Sequence, residues 1–104
     1  MRSRVLVLGR HEEIMAKVVR LLGDEGFDVT PTLTDEAALQ VLESGAVDAF
    51  IIGGGVEVAS RPALRELAQR QGVPIVEHAG GPAGLVEALR RMVAASTERV
   101  GRKA

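Results

Sequence analysis

The chain has 104 residues, a formal net charge of −1, 46% hydrophobic residues and no cysteine. This length supports one domain with a single core, and the missing cysteines exclude disulfides, cysteine-based zinc sites and thiol catalysis. Phe27 and Phe50 are the only aromatic residues. We therefore expect a core of Val, Leu, Ile and Ala, which is typical of a buried parallel sheet.

The distribution of charge and hydropathy limits the partners of the chain. No apolar run approaches the roughly 18 residues of a membrane span, and the near-neutral charge offers nothing to recruit nucleic acid. We expect a cytoplasmic protein without membrane or nucleic-acid partners. Residues 21–60 contain eight acids and no Lys or Arg, whereas residues 61–104 contain eight bases and four acids. This asymmetry either steers a protein partner or a second copy, or reflects ordinary solvated helix faces.

The first part of the chain alternates strand and helix patterns. Residues 5–8 form an apolar strand. A helix follows, with Glu12 and Glu13 in its first turn, where the helix dipole favours negative charge. Its apolar residues recur on one face, and they are Ile14, Met15, Val18, Val19 and Leu22. Residues 27–30 then alternate apolar with polar side chains, which indicates a strand at a sheet edge.

The middle of the chain contains the strongest strand signal. Thr34 is predicted to cap a second helix. Residues 47–52 are an almost unbroken apolar run that stops at three glycines, which indicates a central strand covered on both faces. Pro62 is tolerated only in the first turn of a helix, so Ser60 or Arg61 caps a third helix.

The last part of the chain predicts one more strand and one more helix. The strand covers residues 73–76, with Pro74 near its start, where one ladder donor can be spared. A Gly-rich turn at residues 79–82 opens the helix, which has a regular apolar stripe. Periodicity is lost from residue 96 onward, and we expect that tail to fray.

These patterns predict a three-layer α/β/α fold. Strand and helix alternate four times with short connections, which implies a parallel sheet with right-handed crossovers. The expected strand order is 2-1-3-4, with the first and last helices on one face and the other two on the opposite face. No fifth strand is expected, because the Gly-rich turn leads directly into the last helix. We assign residues 1–95 to the domain and residues 96–104 to the tail.

A candidate ligand site lies where the strand order reverses, between strands 1 and 3, beyond the carboxyl ends of the strands. The candidate residues are at strand ends or in the Gly-rich turn: Gly9, Arg10, His11, Gly53, Gly54, Gly55, Gly80 and Gly81. Arg10 and the N–H groups at helix starts could hold a phosphate or carboxylate. The glycine spacing matches neither Gly-x-Gly-x-x-Gly nor a P-loop. Small-anion or nucleotide binding is therefore an alternative function.

Patterns for catalysis and metal binding are missing from the sequence. His11 and His78 are the only histidines. If strand 3 separates their strands, they lie about 10 Å apart at about 4.8 Å per strand step, which is long for sharing a metal. No Ser lies at a strand end beside a base, and Glu12 and Glu13 do not face each other on a helix. We predict no enzyme activity, no metal and no cofactor.

The predicted elements resemble the first four strands of a response-regulator receiver domain, which has a flavodoxin-like fold. The matching segments are residues 5–8, 26–29, 35–43, 47–52 and 73–76. The resemblance implies a signalling module. A second resemblance, to cobalamin-binding domains with Asp-x-His-x-x-Gly after strand 1, retains only His11 and lacks the aspartate that orients the histidine.

The chain departs from receivers at the positions that carry their chemistry. The acidic pair that holds magnesium corresponds to Gly9 and Arg10, and the phosphate-accepting aspartate corresponds to Gly53. The Ser or Thr near the end of strand 4 falls near Ala79, and the family's lysine is missing, since the only lysines are Lys17 and Lys103. Without oxygen ligands and without the acceptor carboxylate, phosphorylation by the receiver mechanism is not available.

We therefore predict a non-catalytic, receiver-like interaction or regulatory module that binds another protein or itself. Without a fifth strand, residues 73–77 would form an exposed and rather apolar sheet edge, and such edges recruit a partner unless they are covered. Pairing two copies at this edge would build a continuous sheet, with twofold symmetry if the strands run antiparallel. The expected assembly is a homodimer.

Overall fold

A computed structural model describes residues 3–78 and 89–91 of the chain. Its elements, in chain order, are β1 (Arg4–Leu8), α1 (Glu12–Asp24), β2 (Asp28–Thr32), α2 (Asp35–Glu43), β3 (Ala49–Gly53), a short 3-10 helix (Val58–Ser60), α3 (Arg61–Arg70) and β4 (Ile75–His78). Among the helices described, none has the length and apolar character needed to span a membrane.

The four described strands form one parallel sheet in the order β2-β1-β3-β4, which confirms the predicted order. Leu6 in β1 pairs with Thr30 of β2 on one side and with Phe50 of β3 on the other. β3 pairs in turn with β4, where Ile51 lies opposite Val76. Because every strand runs in the same direction, the connections that follow β1, β2 and β3 all begin at one edge of the sheet.

Alternate residues of β1 and β3 supply two cores, one on each face of the sheet. On one face, side chains of β1, β3 and α1 pack together with Leu89. The side chains from these three elements are Val5, Val7, Ala49, Ile51, Met15, Val18 and Leu22. On the other face, β1 and β3 pack against α2 and α3 through Leu6, Leu8, Phe50, Ile52, Ala38, Leu42, Leu64 and Ala68. β3 is therefore covered on both faces, as its apolar run predicts.

Local signals place the helix starts close to their predicted positions. Thr34 caps α2, since its Oγ1 accepts a hydrogen bond from the N–H of Ala37 at 3.2 Å. Pro62 lies in the first turn of α3, and the 3-10 helix before it was not predicted. Gly26 and Gly45 follow α1 and α2 with φ angles of +92° and +75°, a region in which other residues are strained.

Three strands are shifted toward the carboxyl edge of the sheet relative to the prediction, and one of them is β3, which runs over Ala49–Gly53 instead of residues 47–52. β2 continues through Pro31 to Thr32, which is possible because an edge strand can spare a donor on its outer side. β4 begins at Ile75, after Pro74 has accepted a hydrogen bond from the N–H of Phe50 at 3.0 Å. Gly80, Gly81, the predicted start of the last helix, the place of a fifth strand and the tail at residues 96–104 lie outside the described residues.

The double coverage of β3 predicts a large effect of truncating its aromatic side chain. Phe50→Ala should destabilise the chain by about 3–5 kcal/mol, because it removes a fully buried side chain and leaves a cavity. Val58→Ala is the control, since Val58 is 83% exposed and should change stability by less than about 0.5 kcal/mol. Urea denaturation measures both, and equal effects would contradict the assigned core.

Candidate functional site

The residues that follow β1 and β3 meet at the carboxyl edge of the sheet. A methyl group placed on Gly53 would lie 3.2 Å from the carbonyl oxygen of Leu8 and 3.7 Å from Cα of Gly9. One placed on Gly55 would lie 3.5 Å from the ring of His11. The structure therefore brings the two predicted groups, residues 9–11 and 53–55, into direct contact, with Gly54 in the turn after β3.

Arg10 is bound by groups from two other connections. Its Nη1 donates to the carbonyl oxygen of Leu33 at 2.8 Å, and its Nη2 donates to Oδ1 of Asp35 at 2.5 Å. Its Nε and Nη2 donate to the two carboxylate oxygens of Glu57 at 3.2 and 2.7 Å. The guanidinium of Arg10, which the sequence analysis predicts to bind an anion, is thus paired with two carboxylates of the chain itself. Only 21% of the Arg10 side chain is exposed.

Asp35 and Glu57 are functional candidates that the sequence analysis did not identify. Asp35 lies in the first turn of α2, and Glu57 belongs to the connection after β3. A signal for both was present, because the carboxyl ends of parallel strands share one edge and each acid follows a strand that lies beside β1. Acids in these two connections can therefore reach an arginine that follows β1.

The network determines the protonation of its members. Hydrogen bonds from Arg10, and then from its own backbone N–H, lower the pKa of Glu57 from 4.5 to about 2. The Ser60 hydroxyl and Arg10 hold the pKa of Asp35 below its usual value, and the two carboxylates raise the pKa of Arg10. Ser60 also donates to Oε2 of Glu57 at 3.4 Å. All three charged groups therefore remain ionised at neutral pH.

A second arginine network ties β4 to the connection after β3. Arg61 donates from Nη2 to the carbonyl oxygen of Gly53 at 3.2 Å, and from Nε to that of Val56 at 3.2 Å. Its Nη1 donates to Glu77 at 2.8 Å, and Arg65 donates to both oxygens of the same carboxylate at 3.1 and 2.6 Å. Arg65 and then Arg61 lower the pKa of Glu77. The same edge is therefore fixed by ion pairs on both sides of Gly53.

The donor set at this edge does not fit a magnesium ion. Mg²⁺ prefers carboxylate, carbonyl and water oxygens in octahedral geometry, whereas Gly9 and Gly53 bring no side-chain oxygen. The nearby carboxylates of Asp35 and Glu57 are bonded to a guanidinium, which cannot be deprotonated in proteins. Within residues 3–78 and 89–91, no group of three or more His, Asp or Glu side chains is arranged to hold a metal.

Replacing Arg10 should change how the stability of the fold depends on pH in the acid range. A carboxylate with a lowered pKa contributes stability that is complete above its unfolded pKa and is lost as pH falls through the folded pKa. For Glu57 this window runs from pH 4.5 to about 2. Arg10→Gln should lower the melting temperature at neutral pH and reduce the further loss across that window, with an NMR titration reporting the pKa of Glu57.

Arg70→Gln is the matched control for that loss of charge. Arg70 pairs with Glu66 one helical turn away, and both side chains are mostly exposed. Exposed pairs of this kind contribute little, so the control should keep the native acid profile. An unchanged Glu57 titration in Arg10→Gln would contradict the assigned network.

Two glycine substitutions should change stability in opposite directions. Gly53→Ala forces a methyl group against the backbone oxygen of Leu8 and should destabilise by about 1–3 kcal/mol, as overpacking does. Gly23 lies within α1, and a methyl group there meets nothing within 4 Å. Gly23→Ala should therefore stabilise by about 0.5–1 kcal/mol. Urea denaturation tests both, and a neutral Gly53→Ala would contradict the close approach of β1 and β3.

Comparisons with known proteins match this fold at low sequence identity. The receiver domain of the hybrid histidine kinase CckA aligns with a TM-score of 0.68 and 20% identity over 88% of this chain and 99% of that domain. NtrX from Brucella abortus aligns with a TM-score of 0.73 and 16% identity, over 99% of this chain and 29% of that protein. A pilus assembly protein (CpaE) from Burkholderia thailandensis aligns with a TM-score of 0.62 and 23% identity, over 88% and 98% of the two chains.

No protein-family model matches the sequence, and no curated protein matches it either. Because the sequence identities are only 16–23%, these structural matches establish the fold and do not establish an activity. The four parallel strands in the order β2-β1-β3-β4 agree with them. The chain therefore has the flavodoxin-like fold of a receiver domain.

Proposed function

We propose that the chain is a receiver-like regulatory module that acts by binding a protein partner or a second copy, and that it is not phosphorylated by the receiver mechanism. One observation carries the proposal. Where the resemblance to receivers expects an acid that binds magnesium, the chain has Arg10, whose guanidinium is bonded to Asp35 and Glu57. The edge of the sheet that would bind metal and phosphate already holds its own positive charge.

A tethered guanidinium differs from a bound metal in ways that matter for signalling. It cannot dissociate or be deprotonated, and it offers a planar set of donors but no vacant coordination position. At Gly53 there is no carboxylate to accept a phosphoryl group, and a Cβ there would lie only 3.2 Å from the carbonyl oxygen of Leu8. These features support a carboxyl edge of the sheet that stays in one conformation and is not switched by phosphorylation.

The proposed partner surface includes the outer edge of β4. In the described part of the chain β4 is the last strand of the sheet, and its Ile75 and Val76 are half-buried. The predicted pairing of two copies through residues 73–77 is retained as a proposal on this basis, since unpaired edges bind other strands.

Small-anion or nucleotide binding is less well supported. An open cavity of about 470 Å³ lies beside the start of α1. Its lining contains two acids as well as one cation: Arg10, His11, Glu12, Glu13 and Ile14. Because Arg10 is already paired with two carboxylates, an anion in this cavity would lie among side chains whose net charge is negative.

Treatment with acetyl phosphate and Mg²⁺ tests the proposal. We expect no phosphoryl group on the chain by intact-mass spectrometry, and no change in melting temperature with beryllium trifluoride and Mg²⁺. A phosphorylatable receiver domain treated in parallel is the positive control. A hydroxylamine-sensitive phosphoryl adduct, which identifies an acyl phosphate, or a shift of the kind that a ligand at 100 times its dissociation constant produces, about 2.7 kcal/mol, would refute it.

A further inference from the structure

The outer surface of α1 carries an apolar groove that the proposed function does not use. The groove has a volume of about 640 Å³ and runs between α1 and the end of β2. Its lining is apolar apart from a few polar side chains, and comprises Glu12, Met15, Ala16, Val19, Arg20, Pro31, Thr32, Leu33 and Ala37. Ala16 is exposed on the wall of this groove, and Val19 and Leu33 are half-buried.

Two opposite charges mark the ends of the groove. Glu12, Ala16 and Arg20 are spaced by four residues, so they lie on one face of α1, and Glu12 and Arg20 are about 12 Å apart along the axis at about 1.5 Å per residue. Both charged side chains are exposed. Within the described part of the chain, neither makes an ion pair or a side-chain hydrogen bond.

We propose that this groove binds a second copy of the chain, with the two α1 helices packed antiparallel about a twofold axis at Ala16. In that arrangement Glu12 of each copy faces Arg20 of the other, and the small Ala16 side chains meet at the axis. An isologous contact requires a surface that complements itself under a twofold rotation. A small residue midway between an acid and a base on one helix face meets that requirement.

The neighbouring sheet edge favours helix packing over strand pairing at this surface. β2 is an edge strand, and Pro31 has no N–H with which to extend a ladder. A partner that approaches this side therefore contacts side chains of α1 and the groove, which are apolar in the middle and charged at both ends. The inference rests on the proposed function, because it names a second copy as the partner, and it adds a contact between copies that is separate from the pairing proposed through β4.

Charge reversal tests the pairing in sedimentation velocity of the full chain at low salt. Glu12→Arg and Arg20→Glu should each weaken the dimer about tenfold, because symmetry replaces two attractive pairs with repulsive ones. The double variant Glu12→Arg with Arg20→Glu restores the pairs and should recover the native dissociation constant. Lys17→Glu is the control, since Lys17 is exposed on α1 but does not line the groove. Circular dichroism checks the folding of each variant.

A disulfide test locates the axis independently. The chain has no cysteine, so Ala16→Cys introduces a single thiol, which should form a covalent dimer on mild oxidation, whereas Lys17→Cys should do so far less. A chain that stays monomeric at high micromolar concentration, or a dimer that survives both charge reversals, overturns the α1 contact. Neither result affects the acetyl phosphate test, so the two proposals fail separately.

Discussion

The burial of β3 is the constraint on which the rest of the structure depends. β3 is paired on both edges and covered on both faces, so Gly53 is held against the end of β1. At that point a side chain on Gly53 would be crowded against the backbone oxygen of Leu8. The connections after β1, β2 and β3 are thereby brought within the reach of one arginine side chain, and Arg10 can bridge to Leu33, Asp35 and Glu57.

The bridge by Arg10 explains how a receiver-like fold can keep this edge ordered without the family's acids. In a receiver, by the resemblance, a metal ion and a phosphoryl group are supplied from outside. Here the positive charge is covalently part of the chain, and the carboxylates that balance it come from the start of α2 and from the connection after β3. Under the proposed function, regulation would then depend on which partners are bound and at what concentration, since mass action alone shifts such equilibria.

Some of the charges that are unevenly distributed along the sequence form ion pairs within the molecule. Acids from residues 21–60 pair with arginines outside that segment, as Asp48 does with Arg4 and Glu25 does with Arg90. Arg61 and Arg65 share Glu77 within the second half of the chain. In the described part of the chain, four of the eight acids in residues 21–60 are thus neutralised by ion pairs with arginines from other elements. The groove on α1, in contrast, retains an acid and a base that have no ion-pair partner among the described residues.

The sequence by itself determined the elements and their order, because hydrophobic periodicity, the cap at Thr34 and the apolar run of β3 are local signals that burial enforces. It also identified the edge at which Gly9, Arg10 and Gly53 meet. Tertiary structure decided what Arg10 binds, since Asp35 and Glu57 are 25 and 47 residues away in sequence and come close only when β2 and β3 flank β1. Side-chain partners at such separations depend on strand order and on the path of each connection, which no local pattern encodes.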